Sequence, residues 1–313
     1  MATKRVCGDD DGFVINRWDP QLPPNAIPEI LYRPTDHRSQ IAWQQRETRQ
    51  LVIDVGFGKL TNDTITRRPG PTLVLALAEW WWDTTHTFHI AGREYTMSPY
   101  DFYRLIGLRM RGRWFTFELT KADRKALTLC LLGVPCPSAT LKYPALLAAY
   151  SQRGQDTAED RTQMARAFIL YLLGAFLVAN SAQTVEPGWL LALDNLTTAR
   201  EYGWGSAVLS HLYATMDSLS RLVSDPTGCW CLWGSWAREY LTLEPLMDGD
   251  EASHIVVREF LDRLDRVNAR PWVGAPELGP QDWEEDAREI SEISCLLSYP
   301  RARTFYFAKR VVP

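Results

Sequence analysis

The chain of 313 residues is 46% hydrophobic and 23% charged, which excludes the disordered and collagen-like classes. Its formal net charge of −4 does not by itself argue for a nucleic-acid-binding domain, which usually presents a basic face. Of its 34 basic residues only six are Lys and 28 are Arg, a bias that indicates internal ion pairs and protein contacts. The 13 Trp residues predict a core or an interface rich in large rings.

The Cys residues and the apolar runs bear on the compartment. None of the six Cys residues lies in a C-x-x-C or a zinc-finger spacing, so we expect a reducing compartment and no disulfide framework. The first residues, MATKRVCGDDDG, lack the apolar stretch of a secretory leader. The longest apolar run, 167–179, is shorter than the roughly 20 residues that span a bilayer, which predicts a buried helix and no membrane contact.

The first half of the chain predicts an arm followed by one domain. Prolines indicate that residues 1–50 form an irregular Pro-rich arm, with one short helix at 36–49, and that 51–313 form a single helical domain. An apolar helix is expected from Thr72 through the three consecutive Trp residues, with a β-hairpin at 86–97 after it. Ser98 is placed to cap the next helix, which should end at Gly107.

The second half predicts further helices and one strand. The helices are expected at 120–132, 157–179, 195–202, 204–222, 229–240, 252–267 and 281–297, and the strand within 304–312. The fold class is therefore mainly α: a compact multi-helix domain with a small β-hairpin near 86–97 and a short C-terminal strand. So few strands do not fit an α/β sheet enzyme.

No pattern predicts catalysis, a cofactor or a metal. The segment 56–61 (GFGKLT) lacks the first Gly of a phosphate loop and has Leu60 where Ser or Thr is needed. His86 and His89 should point to opposite faces of a strand, with no third ligand nearby. No G-x-S-x-G occurs, and no Lys is placed to hold pyridoxal phosphate. A site assembled in space around His211 or His254 remains an alternative.

Two sets of residues are candidates for contacts with another macromolecule. The first set is basic and lies around aromatic rings: Arg104, Arg109, Arg111 and Arg113 near Trp114, and Arg301, Arg303, Lys309 and Arg310 in the tail. Such interleaving is typical of nucleic-acid grooves, but the acidic helix at 281–297 favours intramolecular pairing. The second set, Trp230, Trp233 and Trp236, covers a broad helix face, and a core and an interface are both open for it.

The residues from 78 to 112 resemble the opening motif of the plant mobile domain family, which is also labelled aminotransferase-like. The motif residues are Trp81, Trp82, Thr85, His86, Thr87, Phe88, His89, Gly92, Glu94, Ser98, Asp101, Gly107, Leu108 and Gly112. Later blocks at 168–185, 196–216 and 229–241 are also similar, so the resemblance covers about 55–310. Arg93 departs from the family's usual Gly-Glu at the turn.

The resemblance implies a nuclear, transposon-derived protein and gives no catalytic residue to carry over. Family members in the host genome act in transposable-element silencing, gene expression and meristem maintenance, some beside a phosphatase of the PPP type. The first hypothesis is therefore a non-enzymatic protein-interaction module with a phosphatase-like protein partner and no small-molecule substrate. The second hypothesis is a nucleic-acid-binding transposon-encoded domain, and the third is an enzyme whose site is assembled in space.

Overall fold

The computed structural model describes residues 46–62, 71–136, 138, 140–150, 153–221, 227–241, 254–264, 267, 271–272, 275, 278–300 and 302–311. Of the predicted arm, only residues 46–50 are described, and they belong to a helix. The helix predicted at 36–49 otherwise lies outside the described residues, and the boundary between arm and domain stays a prediction.

The described part of the chain is mainly helical, as predicted. Its α-helices are α1 Arg46–Val52, α2 Gly58–Asn62, α3 Pro71–Trp80, α4 Pro99–Ile106, α5 Lys121–Leu132, α6 Tyr143–Tyr150, α7 Ala158–Leu172, α8 Leu190–Leu193, α9 Leu196–Ala199, α10 Trp204–Ser220, α11 Cys231–Leu241, α12 His254–Arg263 and α13 Gln281–Glu292. A π-helical turn, Ile53–Phe57, joins α1 to α2, and a second one, Leu173–Leu177, extends α7. Within the described residues, no helix combines the length and the apolar character that crossing a bilayer requires.

In the part of the chain that the structure describes, the strands form three small antiparallel sheets. They are β1 Trp81–Trp82, β2 Thr87–Ile90, β3 Arg93–Tyr95, β4 Leu141–Lys142, β5 Thr184–Val185, β6 Cys295–Tyr299 and β7 Ala302–Tyr306. Strand β2 lies between β1 and β3, β4 pairs with β5, and β6 pairs with β7. The hairpin predicted at 86–97 is present. A strand is also present in the C-terminal tail, but β7 overlaps the predicted range 304–312 only at 304–306, and residues 307–311 are not in a strand.

Local capping chemistry sets several helix ends. Three helices start with a capping box, in which the hydroxyl of the first residue accepts a hydrogen bond from the backbone N–H three residues later. The acidic side chain of that later residue accepts from the backbone N–H of the first. The boxes are Ser98 with Asp101, Thr120 with Asp123, and Thr157 with Asp160. Helix α4 ends at Gly107, whose φ of 71° is the left-handed conformation that favours glycine. These boundaries follow the sequence because they depend on adjacent residues alone.

The core is built around large rings. Residues 163–179 are buried throughout, so α7 and its π-helical extension lie at the centre. The Trp side chains below 2% exposure are Trp81, Trp189, Trp204, Trp233 and Trp236. Burying one such ring stabilises the fold by about 4 kcal/mol before entropy costs.

Two predicted helices end earlier than expected, and the residues beyond them form strands. Trp81 and Trp82 leave α3 and pair with Phe88 and Thr87 across an antiparallel ladder. Helix α13 stops at Glu292, and 295–299 form β6. In both places tertiary strand pairing overrides a helix-like spacing of apolar residues.

Candidate functional site

The family-motif residues form a junction between three elements. The indole N–H of Trp81 donates to Asp217 Oδ1 of α10 at 2.7 Å, and Trp81 packs edge-on against Phe88 with ring centroids 4.8 Å apart. His86 lies in the turn before β2 with a φ of 56°. Its Nε2 lies 3.2 Å from Asp217 Oδ2, and its Nδ1 bonds to the carbonyl oxygen of Phe305 in β7 at 2.8 Å. His86 therefore joins the hairpin, α10 and β7.

The other motif residues also have structural partners. The ring of His89 stacks on the exposed ring of Trp82 at 4.6 Å, while His86 lies inward on Tyr213. Thr85 and Thr87 share a hydrogen bond between their hydroxyls at 2.7 Å. Within the described residues, no group of three His, Cys, Asp or Glu side chains is arranged to hold a metal ion.

Asp101 is a buried carboxylate with a full set of donors. Its Oδ1 accepts from Trp272 Nε1 at 2.7 Å and from Tyr240 at 2.8 Å, and its Oδ2 accepts from the N–H and the hydroxyl of Ser98. Burial raises the pKa of Asp101, against these hydrogen bonds, which lower it. The carboxylate thus ties the start of α4 to α11 and to the segment before α13. Leu108, which follows Gly107 in the motif, is buried just beyond α4.

Helix α13 pairs with most of the first arginine cluster. Arg104 is buried and lies 3.4 Å from Glu284, which also accepts from Arg288 at 2.9 Å. Burial alone would raise the pKa of Glu284, but the Arg288 and Tyr100 hydrogen bonds and the charge of Arg104 outweigh it and hold that pKa below its usual value.

The outer arginines of that cluster are also paired. Arg111 lies 3.0 Å from Asp286 and 3.2 Å from Glu289, and Arg109 lies 3.9 Å from Asp286. Arg113 contacts Glu201 at 3.8 Å. The intramolecular pairing favoured for the acidic helix is thus present, with the cluster at 104–113 as its main partner.

The remaining candidates divide between core and surface. Trp233 and Trp236 are 1% and 0% exposed and Trp230 is 9% exposed, so this ring set packs in the core and offers no surface. In the tail, Arg310 lies 3.5 Å from Glu94, and Arg303 is exposed on β7. Lys309 is exposed, and Arg301 lies outside the described residues.

The exposed Trp114 is held outward by its neighbours. Residues 114–119 run without helix or strand pairing, and their burial alternates. Phe115 and Phe117 point inward and pack against Trp189 with ring centroids 4.8 and 4.9 Å apart. Trp114, between Arg113 and Phe115, is 56% exposed as a result. Its ring is therefore on the surface because an extended backbone alternates its side chains.

A cleft of about 240 Å³ lies beside Trp114. The residues lining it are Met110, Arg111, Gly112, Arg113, Trp114, Phe115, Gly203, Ser206, Ile290, Ile293, Cys295, Leu296, Leu297 and Ser298. One wall is the 110–115 segment, and the other is the end of α13 with β6. Ile293, at that end, is 53% exposed. The lining is mostly apolar, and its charged residues are the two arginines Arg111 and Arg113.

Sequence reasoning placed arginines around Trp114 but missed the opposite wall. That wall comes from β6, which the apolar spacing assigned to a helix. The alternation of apolar and polar residues from Phe115 to Leu119 is a signal that could have shown one extended wall. Nothing local in the sequence could have shown that β6 lies across from it.

These features define a helical domain with ion pairs between the arginines at 104–111 and α13, and with an apolar cleft on its surface. The model of the plant mobile domain family matches residues 60–266, which is more than half of the chain. The chain therefore belongs to the plant mobile domain family.

Three relatives from Arabidopsis thaliana show how the similarity is distributed. The chain is 27% identical to Protein MAIN-LIKE 1 over 69% of its own length and 48% of that protein, and 25% identical to Protein MAINTENANCE OF MERISTEMS over 77% and 56%. It is 33% identical to the Serine/threonine-protein phosphatase 7 long form homolog over 54% of this chain and 13% of that protein. The chain thus spans about half the length of Protein MAIN-LIKE 1 and of Protein MAINTENANCE OF MERISTEMS, and a much smaller part of the phosphatase homologue. No solved structure has significant similarity to it.

Proposed function

We propose that this chain is a non-enzymatic protein-interaction module of a nuclear, transposon-derived factor that supports transposable-element silencing, gene expression and meristem maintenance. The observation that carries the proposal is the cleft beside Trp114, where a 56% exposed Trp is fixed outward next to an apolar lining. Exposed large rings held in place are typical anchors of protein interfaces.

Two polar side chains of the motif support the same reading, because each has a structural task. Asp101 joins three segments through its hydrogen bonds, and His86 joins the hairpin, α10 and β7. The partner that we propose is a PPP-type phosphatase-like protein. Supporting this choice, a segment similar to the chain occurs within a longer protein named as a phosphatase homologue.

The test is affinity capture from plant nuclei with identification by mass spectrometry. We expect the wild-type chain to enrich a phosphatase-like protein and Trp114→Ala to lose it. Trp82→Ala is the matched control, since Trp82 is 55% exposed on a different element and should leave capture intact. Equal capture by wild type and Trp114→Ala, or no enrichment of any phosphatase-like protein, would overturn the proposal.

A further inference from the structure

The cleft beside Trp114 contains an unpaired strand edge. Two residues separate β6 from β7 along the chain, with Tyr299 opposite Ala302 and Leu297 opposite Thr304. In an antiparallel pair, hydrogen-bonded and non-hydrogen-bonded residue pairs alternate, and a two-residue loop is closed by a hydrogen-bonded pair. Leu296 and Ser298 therefore direct their backbone N–H and C=O groups away from β7.

A contact on the opposite edge supports this register. Phe305 is the β7 partner of Leu296. Its carbonyl oxygen bonds to His86 Nδ1, which lies outside the β6–β7 pair. The edge of β7 is thus occupied at Phe305. Among the described residues, neither Leu296 nor Ser298 has a backbone partner on its outward side, and both line the cleft.

We propose that the outer edge of β6 binds an extended acidic segment of a partner protein by strand addition; this rests on the proposed function and names the chemistry of its partner. An unpaired edge offers alternating donors and acceptors that only an extended backbone matches over several residues. The cleft volume of about 240 Å³ lies below the roughly 300–1,000 Å³ of small-molecule sites.

The side chains around the edge specify the rest of the ligand. Trp114 and Ile293, 56% and 53% exposed, flank the cleft and suit a large apolar side chain of the added strand. Arg113 lies in the lining, with its guanidinium 3.8 Å from Glu201 and 4.9 Å from the ring of Tyr202. Arg303 is exposed opposite Ser298. An apolar residue with acidic residues near it would match this surface, since no carboxylate lines the cleft.

The first experiment is phage display of short peptides that tile a plant proteome, with the full chain as bait. We expect enriched peptides to alternate apolar and polar positions and to carry acidic residues. Trp114→Ala should weaken binding of a synthesised enriched peptide by at least about tenfold in fluorescence anisotropy, and Trp82→Ala by less than about twofold. No enrichment, basic or helix-patterned peptides, or equal binding to Trp114→Ala would overturn the inference.

The second experiment tests the backbone mode directly. N-methylation of the same peptide at every second residue should weaken binding by at least about tenfold, and methylation at the residues between should change it little, because only alternate N–H groups face β6. Hydrogen exchange at the amides of Leu296 and Ser298 should slow on binding. Insensitivity to the methylation register would overturn strand addition.

Two outcomes separate this inference from the proposed function. If capture from nuclei needs Trp114 but no peptide binds along β6, strand addition is overturned and the interaction module stands. If the chain instead forms a dimer that Trp114→Ala abolishes, measured by analytical ultracentrifugation, the edge binds a second copy and the acidic partner segment is overturned.

Discussion

At the scale of single residues, Asp101 shows why a buried carboxylate belongs to this motif. Trp272 and Tyr240 donate to one oxygen, and the N–H and hydroxyl of Ser98 donate to the other. A carboxylate can accept hydrogen bonds at both of its oxygens, as these donors require. An amide has one oxygen and one NH₂ group, so it matches only one side.

We therefore expect Asp101→Asn to lower the free energy of unfolding by about 2 kcal/mol. In one orientation the amide leaves the Ser98 N–H without an acceptor, and in the other it leaves the Trp272 N–H without one. Urea unfolding followed by fluorescence measures the change.

Asp160→Asn is the matched control, because Asp160 occupies the same capping-box position with Thr157 at an exposed helix start. Water replaces its lost acceptor, so the control should be affected much less than Asp101→Asn. Equal losses in the two variants would show that Asp101 acts only as a cap.

His211 gives the stability a pH dependence. Burial lowers the pKa of His211 to about 4, and its Nε2 is buried without a hydrogen-bond partner beside the ring of Tyr299. The unfolded chain, with a His pKa of about 6.5, binds the proton first as the pH falls. The contribution of neutral His211 is thus complete above about pH 6.5 and is lost toward pH 4, by about 3 kcal/mol in all.

The comparison with His211→Gln isolates this contribution from that of the carboxylates. Unfolding free energies at several pH values between about 7 and 4 should fall more steeply for the wild type than for the variant. Parallel curves would mean that His211 is accessible to protons in the folded state.

At the scale of elements, the close approach of two backbones positions the Trp114 wall. A Cβ at Gly112 would lie 2.3 Å from the carbonyl oxygen of Glu201 and 2.6 Å from the amide nitrogen of Gly203. The N–H of Arg113 donates to that same Glu201 oxygen at 2.8 Å. Gly112 is therefore required by packing, which gives a physical reason for this motif residue.

Gly112→Ala should consequently destabilise the protein by about 3 kcal/mol and displace the segment that carries Trp114. Thermal unfolding measures the first effect, and faster hydrogen exchange at 112–115 measures the second. Gly154→Ala is the control, since a Cβ there would approach only the side chain of Asp156. An unchanged melting temperature for Gly112→Ala would contradict the close approach.

Several of the element boundaries that the sequence predicted correctly are set by adjacent residues, whereas α10 was predicted from its apolar stripe. Ser98 with Pro99, and Thr120 with Asp123, fix helix starts through local hydrogen bonds, and the Ala91-Gly92 turn fixes the hairpin. Strand β6 was missed because Ile290, Ile293 and Leu297 repeat at helical spacing. Its strand conformation comes from pairing with β7 and packing on α10, which no local pattern reveals.

At the scale of the whole molecule, charge is organised by pairing between distant segments. Arg104, Arg109 and Arg111 face the carboxylates of α13, and Arg113 faces Glu201. The chain also carries a formal net charge of −4. A polyanion that bound at Arg104, Arg109 or Arg111 would first have to displace the carboxylates of α13, which removes most of the counterion release that these three arginines would contribute.

We therefore expect no binding of a DNA duplex or of single-stranded RNA at about 50 mM salt, measured by fluorescence anisotropy. The double variant Asp286→Asn with Glu289→Gln releases Arg109 and Arg111 and is the informative comparison. If pairing is what masks these arginines, the variant should gain weak, salt-dependent binding that the wild type lacks. Wild-type binding whose affinity falls with salt at a log–log slope steeper than about −3 would contradict this account and favour a nucleic-acid-binding domain.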